Sequence, residues 1–512
     1  MLLADLVTTS AAVAGATSRL AKIELLAALV RRLAPEEVDI AIAFLSGEPR
    51  QGRIGVGPAA IWEARPPAAA DVAVLRLVDA DEVFNRVAAM SGPGSGNERV
   101  RLLRDLLHRA TREEQDFLVR LLFGELRQGA LEAVLLEGVA RAAGVPAAAL
   151  RRAVMIAGEL APVARAALVE GEAGLSRFMV QIFQPVQPML AQPAADLDEA
   201  LGELHGEVAL EWKLDGARIQ VHKAGDEIRV FSRNLREVTT AVPEVVEAVR
   251  TLAADAAIVD GEVIALQPDG TPHAFQTTMQ RFGRKLDVDR LRAGLPLVPF
   301  FFDCLYIDGQ SLIDEPQSRR FATLTSVAPS LVVPGRVRPT RSEAAQFLEE
   351  TLRRGHEGVM VKALDAGYAA GRRGQNWLKV KVARTLDLVV LAAEWGHGRR
   401  KGWLSNLHLG ARDPAHGAFV MLGKTFKGLT DRMLAWQTEK LLALEISRND
   451  YTVFVRPELV VEIAFNDLQE SPHYPGGLAL RFARVKAYRP DKSAAEADTI
   501  DTLRDIYRLT HS

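Results

Sequence analysis

One octapeptide, "EWKLDGAR" from Glu211 to Arg218, crowds lysine, aspartate, glycine and arginine at the end of an apolar run. A strand keeps its charges outside. At a strand end the backbone turns, and charged side chains can converge on one space. Lys213 closes "VALEWKLDG", Asp215-Gly216 reads as a turn, and Arg218 follows with a donor fork suited to phosphate or ribose oxygens. A lysine is a nucleophile only when its amine is neutral. Burial, or a nearby metal or arginine, would depress its pKa to that end. Taken alone, the stretch reads equally as a hairpin with a surface lysine salt-bridged to aspartate.

Other stretches add to it. "DGEVIAL" puts Glu262 on a strand, and "EGVMVK" puts Glu357 and Lys362 on another. "WLKVK" places Lys379 and Lys381 on one face, because alternate strand residues share a face. Two such lysines on an edge strand would also discourage edge-to-edge aggregation. Here they follow a basic loop, "GRRGQNW". Cations and two acids near strand ends suit a polyphosphate with a divalent cation. Mg2+ is a hard ion that prefers carboxylate and phosphate oxygens, and Glu262 and Glu357 would help supply them. "GAFVMLGKT", with five residues between its glycines, is one residue too long for a phosphate-binding P-loop and lies on a strand pattern. No H-E-x-x-H or G-x-S-x-G occurs, so zincin protease and α/β-hydrolase readings have no anchor.

The elements that must position these residues fall into three textures. Up to about Phe178 the chain reads as helical: "RLAKIELLAALVRRLA" ends before Pro35, and "NERVRLLRDLLHRA", "REEQDFLVRLLFGELRQG" and "PAAALRRAVMIAGEL" repeat the spacing. "MSGPGSGNER", Met90 to Arg99, reads as a surface loop. A proline-rich entry, "FMVQIFQPVQPMLAQPAADL", then leads into strands alternating with helices, an α+β or α/β pattern. Near Arg384 a third texture begins, five strand-like runs interrupted by "TDRMLAWQTEKLLALEI", which suggests a small β-barrel such as an OB-fold.

With 512 residues the chain needs about two to four domains. Its formal net charge of -2 gives no global sign of nucleic-acid binding, so any basic surface is local. One cysteine, Cys304, excludes an internal disulfide framework and a cysteine-rich zinc site, and fits a cytoplasmic protein. No apolar run is long enough to span a bilayer, and the N-terminus lacks a signal peptide's basic start.

"KLDGAR" resembles the nucleotidyl-lysine motif K-x-D-G-x-R of the covalent nucleotidyltransferases. "FSRNLREVT", "FFDCLYIDG", "EGVMVK", "WLKVK" and "LRFARVKAYRPDK" resemble the later motifs in order, and "PVQPMLAQ" resembles the entry to the ligase catalytic domain. The likeness covers roughly 180 to 495, behind a helical domain placed as in three-domain, bacterial-type ATP-dependent DNA ligases.

The resemblance implies a multidomain fold. An all-α DNA-binding domain would span 1–180, an α+β nucleotidyltransferase domain (ATP-grasp-like) 181–384, and a C-terminal OB-fold β-barrel 385–512. It implies that Lys213 takes AMP from ATP, and that Glu211 lies at the adenine edge. Arg218 and Arg233 would contact ribose and phosphate, and Phe302 would stack on adenine. Glu262 would reach ribose and metal, Glu357 would be the second acid near Mg2+, and Arg373, Lys379 and Lys381 would hold phosphates. Arg481 and Arg484 would clamp the departing pyrophosphate. Within "ELRQGALE", Arg127 and Gly129 are candidate DNA-backbone contacts, and the loop "GHGRRKGW" is either another or a solvated turn. The implied partner is nicked duplex DNA, bound by a monomer. Each residue has a plainer alternative: Phe302 is one of three consecutive phenylalanines that core packing would explain, Arg372 could stand in for Arg373, and Glu262 could be a paired surface acid.

RNA ligases and capping enzymes normally lack so large a leading helical domain. NAD-dependent ligases usually add cysteine-rich modules that one cysteine cannot build. A non-catalytic nick-binding protein on a decayed scaffold is the rival from another class, and the intact Lys213, Glu262, Glu357 and Lys379 speak against it.

Overall fold

Arg19–Val30 shows why the N-terminal third is helical. The Ser18 hydroxyl accepts the Ala21 N–H at its start, and Ile23, Leu26, Ala27, Leu29 and Val30 form its buried stripe. That stripe packs on Glu132–Ala143, where a Cβ on Gly138 would sit 2.9 Å from the Leu26 Cβ, so glycine permits the close approach. The computed structural model describes residues 1–126, 132–283, 288–370, 373–381 and 384–511, with side chains for all of these except 289, 373–375 and 509–511. Ten described α-helices lie between Leu3 and Leu175 around one apolar core. The glycine-rich loop is shorter than expected: Gly94, at φ 84°, ends it and a helix runs from Ser95 to His108. No described helix is long and apolar enough to cross a membrane.

The middle of the chain carries two five-stranded sheets. Their strands are β1 (Leu190–Ala194), β2 (Val208–Trp212), β3 (Ala217–Ala224), β4 (Glu227–Ser232), β5 (Ala256–Ala265), β6 (Leu297–Ile307), β7 (Gln310–Ser311), β8 (Gly335–Val337), β9 (Gly358–Ala363) and β10 (Arg373–Lys381). One sheet has the order β1-β10-β9-β2-β8, with β1 and β10 parallel; the other is antiparallel, β4-β3-β5-β6-β7. The helix Arg341–Arg353 packs under the first sheet, and Pro243–Arg250 and Gln317–Val327 cover the second. β10 is an inner strand, between β1 and β9, so edge protection does not explain Lys379 and Lys381.

The two sheets meet where β2 hands over to β3, and Lys213 to Gly216 are that crossing. A Cβ on Gly216 would fall 2.3 Å from the Val263 carbonyl oxygen and 2.4 Å from Ile264 Cγ2. Only glycine lets the chain pass so close to β5, which is why the motif needs it.

The C-terminal region departs from the expected five strands and one helix. Nine strands are described: β11 (Arg384–Trp395), β12 (Leu404–Asp413), β13 (Ala418–Thr425), β14 (Glu445–Arg448), β15 (Thr452–Val455), β16 (Val460–Phe465), β17 (Asp467–Glu470), β18 (Leu478–Arg481) and β19 (Arg484–Tyr488). They form a half-barrel sheet in which long β11 pairs with β12, β15 and β16, and a separate β17–β18 hairpin. Asp431–Ala443 is the expected helix, and Ile500–His511 is a second, with Ile500 and Leu503 in the same core.

Candidate active site

The crossing segment opens into a cleft of about 710 Å³. Lys213 enters it from the end of β2, and Glu357 from the residue before β9. Lys213 Nζ lies 2.6 Å from one Glu357 carboxylate oxygen, and Lys381 Nζ donates to the other at 2.7 Å. The Lys213 N–H donates to the Gly358 carbonyl at 2.8 Å, tying the two segments together. Burial alone would raise the Glu357 carboxyl; the ammonium groups of Lys213 and Lys381 outweigh it and hold the group below its ordinary range.

Lys213 differs from the sequence expectation. Burial does push its pKa down, but Glu357 foremost, then Glu262 and Asp215, override it. The amine of the ligand-free chain therefore sits above its usual value. The sequence pointed to nearby cations; the fold surrounds the amine with carboxylates.

Glu262 lies opposite Arg218 in the β3–β5 register and accepts the Gly216 N–H at 3.2 Å. Burial pushes it up to about 7, against the lowering effect of Lys213 and Arg218. Burial and the adjacent Glu357 charge likewise raise Asp215. Three carboxylates thus face one amine. Among the described residues no three metal-ligating side chains converge as a preformed cage. An oxygen-only donor set with one or two carboxylates in reach fits a Mg2+ ion completed by phosphate oxygens and water.

Arg218 is more engaged than expected. Nε and Nη2 donate to Asp260 at 3.1 and 2.6 Å, and Nη1 donates to the Met189 carbonyl at 2.6 Å. Tyr368 steadies Asp260 with a 2.7 Å hydrogen bond. The guanidinium lies 5.3 Å from the Phe302 ring centroid. It lines the cleft, but its fork is committed to protein oxygens.

Glu211 is buried and paired with Lys362 at 2.5 Å; burial, ahead of the opposing Lys362 charge, raises its carboxyl. Lys362 Nζ also donates to the Phe302 carbonyl at 3.1 Å and lies 4.7 Å from that ring's centroid. Strand alternation separates the phenylalanines: Phe301 is fully buried, whereas Phe302 is half-buried, lines the cleft and meets Trp377 edge-on at 5.9 Å.

Lys379 lines the cleft half-buried, and Arg233 stands exposed at its rim. Arg373 lies in β10, but its side chain is outside those described. Arg481 reaches in from β18, 3.3 Å from an Asp215 carboxylate oxygen and 4.2 Å from the Phe275 centroid. Arg484 does not join it: it is exposed on β19, opposite Ala464, and absent from the cleft lining. The break at Phe482, whose φ is 57°, puts these two arginines on different strands. Arg127 and Gly129 lie outside the described residues. Asp260 and Tyr368 were not singled out by the sequence, and Lys362 was placed on its strand without a role. Asp260 had one signal, its place two residues before Glu262 on the same strand face.

Family comparisons fit this arrangement. The "ATP dependent DNA ligase domain" matches residues 188–381, the "ATP dependent DNA ligase C terminal region" 400–492, and the "DNA ligase N terminus" 63–140. The chain is 62% identical to a "Probable DNA ligase" of Anaeromyxobacter sp. (strain Fw109-5), over 99% of this chain and 98% of that one. It is 59% identical to a "Probable DNA ligase" of Sorangium cellulosum (strain So ce56), over 99% of this chain and 95% of that one. The solved structure "Pmar-Lig_PreS3" shares the fold over 94% of this chain and 99% of its own, at a TM-score of 0.60 and 18% identity. With all three regions matched in order and a relative this similar from end to end, the chain belongs to the ATP-dependent DNA ligase family.

Proposed function

We propose that the chain seals nicks in duplex DNA, with Lys213 as the nucleophile. The observation that carries this reading is Lys213 at the sheet crossing, 2.6 Å from Glu357 and in one cleft with Glu262, Phe302, Lys379 and Lys381. The neutral Lys213 amine attacks the α-phosphorus of ATP. A P–N bond forms, the α–β P–O bond breaks, and pyrophosphate leaves. A 5′-phosphate oxygen at the nick then takes the AMP, and Lys213 recovers its proton. Finally the 3′-hydroxyl attacks that phosphate, forming the phosphodiester and expelling AMP.

Catalysis is positioning and charge neutralisation. Glu262 and Glu357 would hold Mg2+, which supplies neutralising charge on phosphate oxygens. Glu211 with Lys362 borders the adenine end, Phe302 offers it a face, and Lys379 and Lys381 attract phosphates. Arg233, at the cleft rim, contacts the same nucleotide, and the motif assigns Arg373 to it as well. Arg218, held by Asp260, braces the ring end as much as it contacts ribose. Arg481 serves the leaving pyrophosphate, and Arg484 joins it only if β19 moves. We divide the chain into a helical duplex-binding domain (1–180), an adenylation domain (181–384) and an OB-fold domain (385–512). It acts as a cytoplasmic monomer, holding DNA through phosphates without reading sequence.

Incubation with labelled ATP and Mg2+ leaves AMP on the chain, whereas GTP and NAD do not label it; label from either of those changes the nucleotide assignment. Arg481→Ala slows this labelling about 100-fold, the cost of one lost donor to developing charge. It spares sealing of a nick already carrying AMP, and equal loss in both assays removes Arg481 from the first step. The pH dependence has a definite sign. The reactive amine is the deprotonated form, its pKa is raised in the free chain, and Glu262 gains its charge only near pH 7. Single-turnover labelling at saturating ATP therefore rises from about pH 6 to pH 8.5. A falling limb in that window contradicts the assignment.

A further inference from the structure

Two rings stand directly behind the ion pair. Trp212 precedes Lys213, and His356 precedes Glu357. Their centroids are 4.3 Å apart with the ring planes tilted by 31°, in direct face contact. Trp212 faces the nucleotide cleft, and His356 faces a second cleft of about 510 Å³, so the stacked pair is part of the wall between them. Among the described residues neither His356 ring nitrogen nor Trp212 Nε1 has a hydrogen-bond partner. No hydrogen bond orients the buried imidazole; packing against Trp212 does.

The backbones around the rings are tightly placed. Trp212 is paired with Val359, and its N–H donates to the Pro334 carbonyl at 3.0 Å. A Cβ on Gly358 would lie 2.1 Å from the Val380 carbonyl oxygen, so β9 is pressed onto β10. The segment just before β9 lacks that sheet pairing. His356 keeps one backbone bond there, to the Thr351 carbonyl at 3.2 Å, and its ring ties it to the end of β2.

We infer that His356 is a positioning residue for the first displacement, its ring stacking on Trp212 to fix the main chain on both sides of the Lys213–Glu357 contact. This rests on the reading of Lys213 as nucleophile. Neither ring needs to reach the reacting atoms. A turn of either backbone would carry Lys213 or Glu357 with it, and a displacement of roughly 1 Å at a reacting centre costs on the order of 100-fold in rate.

The test compares His356→Phe with His356→Leu in the full chain. Both variants are apolar and fill the buried site, but only phenylalanine offers a stacking face. Single-turnover labelling with ATP and Mg2+ is followed across ATP concentrations, with the labelled residue mapped by peptide analysis. The leucine variant is expected to lose about tenfold or more in the saturating rate while half-saturation by ATP changes less than about twofold, and the phenylalanine variant to stay within about threefold of the original chain. Equal rates for the two variants, fast or slow, overturn the inference, as does a leucine effect confined to half-saturation. Label mapped to a residue other than Lys213 in the unaltered chain overturns the nucleophile reading instead, and the inference with it.

Discussion

Lys213→Ala leaves no ATP-derived label on the chain and no sealing of a plain nick, while binding to nicked duplex is retained. The effect is all-or-none, because the substitution removes the atom that forms the P–N bond. Binding survives because the substitution leaves the proposed duplex-binding region, residues 1–180, untouched. The variant also frees Glu357 from one of its two ammonium partners, leaving Lys381 at 2.7 Å. A nick supplied with AMP already on its 5′-phosphate needs no lysine nucleophile, so Lys213→Ala should still seal it. Persistent labelling of the variant would remove Lys213 from the site. Loss of both binding and sealing of the adenylated nick would mean that the change damaged the fold.

The largest stability effect is expected away from the chemistry, at Asp303→Asn. Asp303 and Arg320 are fully buried, with Nε and Nη2 of the guanidinium donating to the carboxylate at 2.7 and 3.1 Å. Arg320 also donates to the Glu315 and Ala366 carbonyls and to the Gln317 side chain. Removing the negative partner strands a buried cation, which costs about 3–5 kcal/mol. Chemical denaturation followed through the middle region should show that loss. A shift below about 1 kcal/mol would mean that the carbonyl partners alone carry the charge.

Much of the site was legible because strands translate spacing into direction. Lys379 and Lys381 share a face, and Phe302 points away from buried Phe301 as alternation requires. Partners far apart in sequence were not legible. Lys362 meets Glu211 only because β9 lies beside β2, and Arg218 meets Asp260 only through the β3–β5 register. Register between distant strands leaves little trace in either strand alone. The elevated lysine pKa was missed for the same reason, since it depends on which carboxylates the fold gathers. In the half-barrel, β14 and β15 are four residues each, too short for a periodic signal. Arg484 shows the limit of motif spacing: three residues after Arg481, it belongs to another strand and faces solvent.

β10 ends at Lys381, which holds one oxygen of Glu357, and β11, the longest strand of the half-barrel, begins at Arg384. The longest strand of the half-barrel therefore follows, with only two residues between them in sequence, the lysine that shares Glu357 with Lys213, so the charge balance around that amine is covalently close to the C-terminal region.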